Sequence, residues 1–169
     1  MLANVFVVNN LLSSEECDFI ISYLERIKIN EIGFEEGGLY HIRIQQIPFY
    51  HWRVQFIWRK YLKKIQEVLP NVKLNYTQMV KWNSGTSMDV HKDEDIDSKM
   101  SFSNGVVDWS SICYLNDNFR GGETRIGGYP IETKKGRSLI LHSKNLFHSV
   151  DTVYGNRYTI AAWWTEVKK

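Results

Sequence analysis

His91 and Asp93 stand two residues apart in the run Val90-His91-Lys92-Asp93, and an imidazole beside a carboxylate is a donor pair suited to a divalent metal. If the run is extended, the two-residue side-chain period puts both on one face. A second histidine, with His148 the best placed, would complete a set of two imidazoles and one carboxylate. Such a set holds non-haem Fe(II) by one octahedral face and leaves the other positions open to reactants. The plain alternative is an ordinary strand histidine at 91 and a satisfied core histidine at 148. His142 is a poorer third ligand, and His41 and His51 fall outside the β-rich part of the sequence.

Positioning these residues requires a β framework, and the pattern changes to short β-like runs from Lys73 onward. The runs are Leu74 to Trp82, Val106 to Asn116, Glu123 to Ile126, Tyr129 to Glu132, Ser138 to His142, Ser149 to Val153 and Arg157 to Thr165. Asn83-Ser84-Gly85, Gly121-Gly122, Gly127-Gly128, Lys135-Gly136 and Gly155-Asn156 supply the reversals between them. Ahead of this region, Asn4 to Val8 reads as a strand. Ser13-Ser14-Glu15-Glu16 is a capping-box signature, and Cys17, Ile20, Ile21 and Leu24 then recur at helical spacing. A second helix runs from near His51 to Val68, stopped by Pro70, with Val54, Ile57, Trp58, Tyr61, Ile65 and Val68 on its apolar side. Its basic residues, Arg53, Arg59, Lys60, Lys63 and Lys64, read as a solvated outer face, with tracking of a nucleic-acid backbone as the alternative. Ile32 to Leu39, with Gly33, Gly37 and Gly38, is a loop or hairpin tip of open course. Short strands flanked by helices predict a mainly β protein, a double-stranded β-helix or jelly roll. The expected organisation is a single domain over 1–169, with helical support over about 1–70 and the jelly-roll core over about 71–166.

The composition agrees with a packed core of that kind. Of 169 residues, 43% are hydrophobic, and six tryptophans, nine tyrosines and eight phenylalanines suit a sandwich interior better than a slender bundle. A formal charge of +2 is too mild for a dedicated nucleic-acid or membrane-surface protein. Two cysteines offer neither a disulfide framework nor a Cys-x-x-Cys metal site. No apolar run reaches transmembrane length and the first residues lack a basic leader, so the expectation is a cytoplasmic protein without membrane contact. Oligomeric state is left open.

Taken together, the motifs resemble the Fe(II)- and 2-oxoglutarate-dependent dioxygenases, and among them the prolyl 4-hydroxylase-like branch. The resemblance rests on Trp82-Asn83-Ser84-Gly85 ahead of His91-Lys92-Asp93, then Ile112-Cys113-Tyr114-Leu115-Asn116 and Gly121-Gly122-Glu123-Thr124. It continues through Lys134-Lys135-Gly136-Arg137-Ser138-Leu139 and His148-Ser149-Val150 to Arg157-Tyr158-Thr159, and so spans about the last ninety residues. It implies Fe(II) on His91, Asp93 and His148, 2-oxoglutarate as cosubstrate, O2 as oxidant and ascorbate as a reductant. For 2-oxoglutarate it implies Arg157 on the distal carboxylate, with Tyr114, Thr159 and Trp82 beside it. Strand alternation agrees, because Arg157, Thr159, Ala161 and Trp163 would share a face, and a buried guanidinium is built to grip a carboxylate. A structural salt bridge from Arg157 to Glu123 or another barrel carboxylate is the alternative. Asp93 is a carboxylate, unlike the small residue of the halogenating relatives, so oxygen transfer is expected.

For the acceptor, the resemblance implies peptidyl proline, with succinate and CO2 as co-products. Trp163 and Ile140 are expected as walls of the site. The segment from Glu94 to Asp108 is expected as a lid over a proline-containing peptide, with Met100, Phe102 and Trp109 as its apolar contacts. The sequence departs from the prolyl hydroxylases at Met88 and Trp82, where tyrosine is frequent, and near Val107, where they carry arginine. A free amino acid or other small molecule is therefore an alternative acceptor, and a non-catalytic jelly-roll binding module is a third reading. The nucleobase-demethylating branch fits poorly, because its arginine-rich pattern is replaced here by Arg157-Tyr158-Thr159-Ile160-Ala161-Ala162-Trp163.

Overall fold

A computed structural model describes residues 4–29, 33–93 and 107–167. The chain opens with strand β1 (Val5–Val8) and helix α1 (Ser14–Arg26), followed by β2 (Phe34–Glu36), β3 (Leu39–Arg43), a short 3-10 turn (Ile44–Gln46) and helix α2 (Trp52–Val68). The strands β4 (Val72–Trp82), β5 (Met88–His91), β6 (Trp109–Tyr114), β7 (Arg120–Gly121) and β8 (Thr124–Ile126) come next. They lead to β9 (Tyr129–Ile131), β10 (Ser138–Leu141), β11 (His148–Val150), β12 (Val153–Tyr154) and β13 (Arg157–Glu166).

These strands form a jelly roll. A seven-stranded sheet runs in the order β1-β10-β6-β13-β4-β3-β2 and faces a four-stranded sheet ordered β5-β11-β8-β9, while β7 and β12 pair by themselves. Every pairing is antiparallel. The order interleaves strands distant in sequence, so the site is assembled from both ends of the chain. No described helix is long and apolar enough to cross a membrane.

The helices cover one face of the large sheet. α1 starts on a complete capping box: the Glu16 amide donates to Ser13 Oγ at 3.2 Å and the Ser13 amide to Glu16 Oε2 at 2.9 Å. Its buried residues are Cys17, Ile20, Tyr23 and Leu24, with Ile21 half-buried against the same core, so Tyr23 joins the expected apolar stripe. α2 buries Val54, Ile57, Trp58, Tyr61 and Ile65. The polar atoms on this face are paired: Trp58 Nε1 donates to Thr77 Oγ1 at 3.0 Å, and the Tyr61 hydroxyl meets Ser111 Oγ at 2.7 Å. Trp164, Ile160 and Cys113 complete this core from the sheet side.

Alternation decides what faces the opposite way, into the roll. On β13 the residues between those helix-facing positions are Arg157, Thr159, Ala161 and Trp163, and all four line an internal cavity of about 570 Å³. Trp82, Val80, Gln78 and Tyr76 of β4 stand beside them in register.

Two sequence expectations fail on the same parity. Trp109 lies five residues before Tyr114 on β6, an odd separation, so it packs in the helix-side core with its Nε1 donating to Glu166 Oε1 at 2.8 Å. It does not line the cavity. Ile140 pairs with Ser111 and likewise belongs to the helix-side core, while Leu139 and Leu141 point into the roll. A third difference concerns residues 34–43, left open as loop or hairpin. They form the β2–β3 hairpin, turned at Gly37 (φ 59°) and Gly38 (φ 79°), and it extends the large sheet at its edge. Met100 and Phe102, with most of the expected lid, lie outside the described residues.

Candidate active site

His91 and His148 sit opposite each other on the paired strands β5 and β11, with ring centroids 4.3 Å apart. Asp93 follows two residues after His91, where its amide donates to the Ser143 carbonyl at 3.4 Å. One ligand atom from each of the three residues lies within 4.8 Å of the others. Asp93 Oδ1 stands 3.4 Å from His148 Nε2 and 3.6 Å from His91 Nε2, so three donor atoms converge on one point. Both imidazoles are held by their other nitrogen: Nδ1–H of His91 donates to the Asp89 carbonyl at 2.7 Å and that of His148 to the Leu146 carbonyl at 3.2 Å. With Nδ1 so engaged, Nε2 is the nitrogen that each ring turns toward Asp93, the arrangement a metal ligand set requires.

The carboxylate is oriented as carefully as the rings. Its second oxygen, Oδ2, accepts from Ser110 Oγ and from Trp163 Nε1 at 3.1 Å, leaving Oδ1 for the histidines. Ser110 Oγ in turn accepts from the Ser143 hydroxyl, 2.7 Å away. Burial alone would push the Asp93 carboxyl up, but hydrogen bonds from His148, His91 and Ser110 outweigh it and hold it well below the usual carboxylate range. Asp93 is therefore an anion at any ordinary pH. Two imidazoles and one carboxylate, pre-aimed within a wall of hydrogen bonds, match the donor set of a non-haem Fe(II) site.

Away from this cluster, at the other end of the inward face of β13, Arg157 is 1% exposed. Nη2 donates to Thr124 Oγ1 at 3.3 Å, whereas Nε and Nη1 have no hydrogen-bond partner among the described residues. The guanidinium lies over the Trp82 ring at 4.6 Å and near the Tyr114 ring at 5.5 Å. Among the described residues no carboxylate forms a salt bridge with it, and Glu123 does not supply the alternative pairing. Burial lowers its pKa to about 10, yet it keeps its charge. A buried cation with two unused donor nitrogens calls for an anion that the described residues do not supply. The Tyr114 hydroxyl donates to Thr124 Oγ1 at 2.9 Å, and Trp82 Nε1 donates to Thr159 Oγ1 at 3.3 Å, so the residues expected around 2-oxoglutarate form one connected wall.

Glycine makes this wall possible at one position. A Cβ on Gly121 (φ 63°) would meet the Thr152 carbonyl oxygen at 2.1 Å, so only glycine brings this turn close enough to lay the next strand, with Thr124, beside Arg157. Sequence reasoning gave no role to Thr124, Ser110 or Ser143. The signal for Ser110 was present, because it is four residues before Tyr114 and so shares its inward face. The reading also missed His41, Arg43, Tyr76 and Gln78, which line the cavity through the edge hairpin and β4. Gly37-Gly38 between two β-prone runs was the available hairpin signal.

No family model and no curated protein matches the sequence. Solved structures do match in fold. A viral collagen prolyl hydroxylase from Paramecium Bursaria Chlorella virus-1, solved as its 2OG complex, aligns with a TM-score of 0.70 and 19% identity over 99% of this chain and 98% of that one. A 2OG-Fe(II) oxygenase family oxidoreductase from Burkholderia pseudomallei gives 0.69 and 16% identity over 97% and 85% of the two chains. A prolyl hydroxylase from Trichoplax adhaerens, in complex with a hypoxia inducible factor oxygen degradation domain peptide, gives 0.66 and 16% over 98% and 84%.

Proposed function

We propose that this chain is an Fe(II)- and 2-oxoglutarate-dependent dioxygenase that hydroxylates a prolyl residue in a peptide. The observation that carries the reading is the pairing, in one cavity, of the convergent His91, Asp93 and His148 donors with a buried Arg157 that lacks a carboxylate partner among the described residues. The chemistry an iron supplies there when bound is the coupling of 2-oxoglutarate decarboxylation to insertion of oxygen into a C–H bond. The balance is 2-oxoglutarate, O2 and R–H giving succinate, CO2 and R–OH.

The chain's own residues bind and orient. Arg157 takes the distal carboxylate of 2-oxoglutarate through Nε and Nη1, and Tyr114 and Thr159 narrow the wall around it. Trp82 underlies the guanidinium and keeps water off it. Ser110 and Trp163 fix Asp93 so that one oxygen faces the metal. The Tyr76 and Trp163 rings, 5.5 Å apart, give the acceptor side an aromatic wall, a surface suited to a prolyl ring. The prolyl acceptor also draws support from the likeness in fold to a collagen prolyl hydroxylase and to a prolyl hydroxylase in complex with a peptide. A free amino acid or other small molecule is the second reading, favoured by the polar residues buried on the edge-hairpin side. Ascorbate as reductant has no residue assigned to it. Mass spectrometry of a proline-rich peptide after incubation with Fe(II) and 2-oxoglutarate tests the proposal. A one-oxygen gain on proline is expected, and turnover of 2-oxoglutarate with oxygen gained only by a small molecule would replace the acceptor.

A further inference from the structure

The cavity extends sideways beyond the strand that carries Arg157 and Trp163. Neighbouring strands lie about 4.8 Å apart, so β3, two strands from β13 in the large sheet, stands about 10 Å to its side. The inward faces of β3 and β4 there present His41, Arg43, Tyr76 and Gln78 to the cavity. None of them belongs to the triad or to the Arg157 wall.

Two of these residues are buried polar groups in the cavity wall. His41 is 5% exposed, and among the described residues neither of its ring nitrogens makes a well-formed hydrogen bond, Gln78 being the polar side chain beside it. Its ring is fixed by stacking on Phe34 at 4.9 Å and 12°. Burial lowers its pKa, so it is the neutral imidazole, with one N–H to give. A buried imidazole with both nitrogens unsatisfied is rare in a folded protein and marks a place where something else binds. Gln78 is 4% exposed, and its Oε1 is already engaged by the Tyr76 hydroxyl at 2.9 Å. That hydroxyl accepts from Arg43 Nε at 3.1 Å, and the guanidinium lies over the Phe34 and Tyr76 rings at 4.9 and 5.7 Å. The chain of donors running from Arg43 through Tyr76 to Gln78 turns the amide so that its N–H groups are what it offers a ligand.

We propose that this lobe is the acceptor-recognition subsite, in which the Gln78 amide and the His41 imidazole donate hydrogen bonds to a carbonyl-type oxygen of the substrate. That oxygen is either a main-chain carbonyl beside the hydroxylated residue or the carboxylate of a free amino acid. Arg43 and Tyr76 act as positioning residues for Gln78. The proposal rests on the dioxygenase reading, because it takes the His91, Asp93 and His148 end of the cavity as the place of reaction.

Calorimetry on the full chain, loaded with Fe(II) and 2-oxoglutarate without oxygen, tests it with two probes: a blocked Gly-Pro-Pro-Gly-Pro-Pro peptide and free L-proline. Gln78→Met and His41→Phe keep shape and remove the donors. Each is expected to weaken acceptor binding by about tenfold, the size of one buried hydrogen bond, while 2-oxoglutarate affinity is unchanged. Loss confined to the peptide identifies the main-chain carbonyl, and loss confined to L-proline identifies the carboxylate. Tyr76→Phe should raise the acceptor KM while leaving kcat and the 2-oxoglutarate KM as they are, which a general loosening of the fold would not do. Unchanged acceptor affinity in both donor variants, or a parallel loss of 2-oxoglutarate affinity, overturns the subsite. Wild type that binds 2-oxoglutarate and neither probe overturns it as well and leaves the dioxygenase reading standing. Wild type that binds no 2-oxoglutarate overturns that reading too.

Discussion

Replacing Arg157 with methionine should move stability and cosubstrate affinity in opposite directions. Burial takes the Arg157 pKa from the ordinary guanidinium value down to about 10, which makes the charged form about 3 kcal/mol costlier in the folded chain than in the unfolded one. Because the folded value is the lower of the two, this cost is fully present below about pH 10. It fades only as pH climbs toward the unfolded value. Stacking on Trp82 and the contact with Thr124 return about 1–2 kcal/mol. Methionine keeps most of the volume without the charge, so Arg157→Met is expected to gain about 1 kcal/mol without ligand. For a chain of this size that raises Tm by about 2–4 °C. The same change removes a charge-assisted contact of about 1.5–3 kcal/mol with the distal carboxylate, so 2-oxoglutarate should bind about 10- to 150-fold more weakly. Thermal denaturation with and without saturating 2-oxoglutarate reads both effects. Ligand should raise the wild-type Tm clearly and the variant's much less. Unchanged 2-oxoglutarate affinity would refute the cosubstrate role. A fall in Tm of about 10 °C would mean that Arg157 has a structural anion after all, since breaking a buried ion pair costs about that much.

The other predictions concern the metal end and the frame. His91→Ala, Asp93→Ala and His148→Ala should each abolish bound iron and succinate formation, with circular dichroism unchanged; normal iron content in the His148 variant would misassign the set. Ser110→Ala, which frees Asp93 Oδ2 on one side, should lower Fe(II) affinity by about 10- to 100-fold in a chelator titration while the fold persists, and unchanged affinity would deny Ser110 its orienting role. Gly136→Ala should cost about 2 kcal/mol or more in denaturant unfolding, because φ is +77° there and the new Cβ would meet the Leu12 carbonyl oxygen at 2.3 Å; an unchanged midpoint would mean that the β1–α1 connection yields freely.

How much of this was legible in the sequence depends on whether a local period had an anchor. On β13, Arg157 fixes the parity, so Thr159, Ala161 and Trp163 follow as inward residues. On β6 the anchor was Tyr114, and its odd separation from Trp109 already placed that ring on the helix side. Assigning Trp109 to the lid read closeness in sequence as closeness in space. β10 has no exposed residue to anchor its parity: Ser138, Leu139, Ile140 and Leu141 are all buried, so nothing in the run tells inward from outward, and Ile140 took the wrong side. The meeting of His91, Asp93 and His148 was legible through their types and motif context. Thr124 and the pairing of β2 and β3 with β4 depend on contacts between segments tens of residues apart, which no local period encodes. The edge hairpin was the largest loss, because its short strands were read as loop while they carry His41 and Arg43 into the cavity.

The most direct measurement of the central claim follows both atoms of isotopically heavy O2 during turnover with Fe(II), 2-oxoglutarate and a proline-rich peptide. One heavy atom is expected in succinate and one in the new hydroxyl, with both signals lost in His148→Ala. Succinate without the heavy atom, or label that persists in the His148 variant, would contradict it.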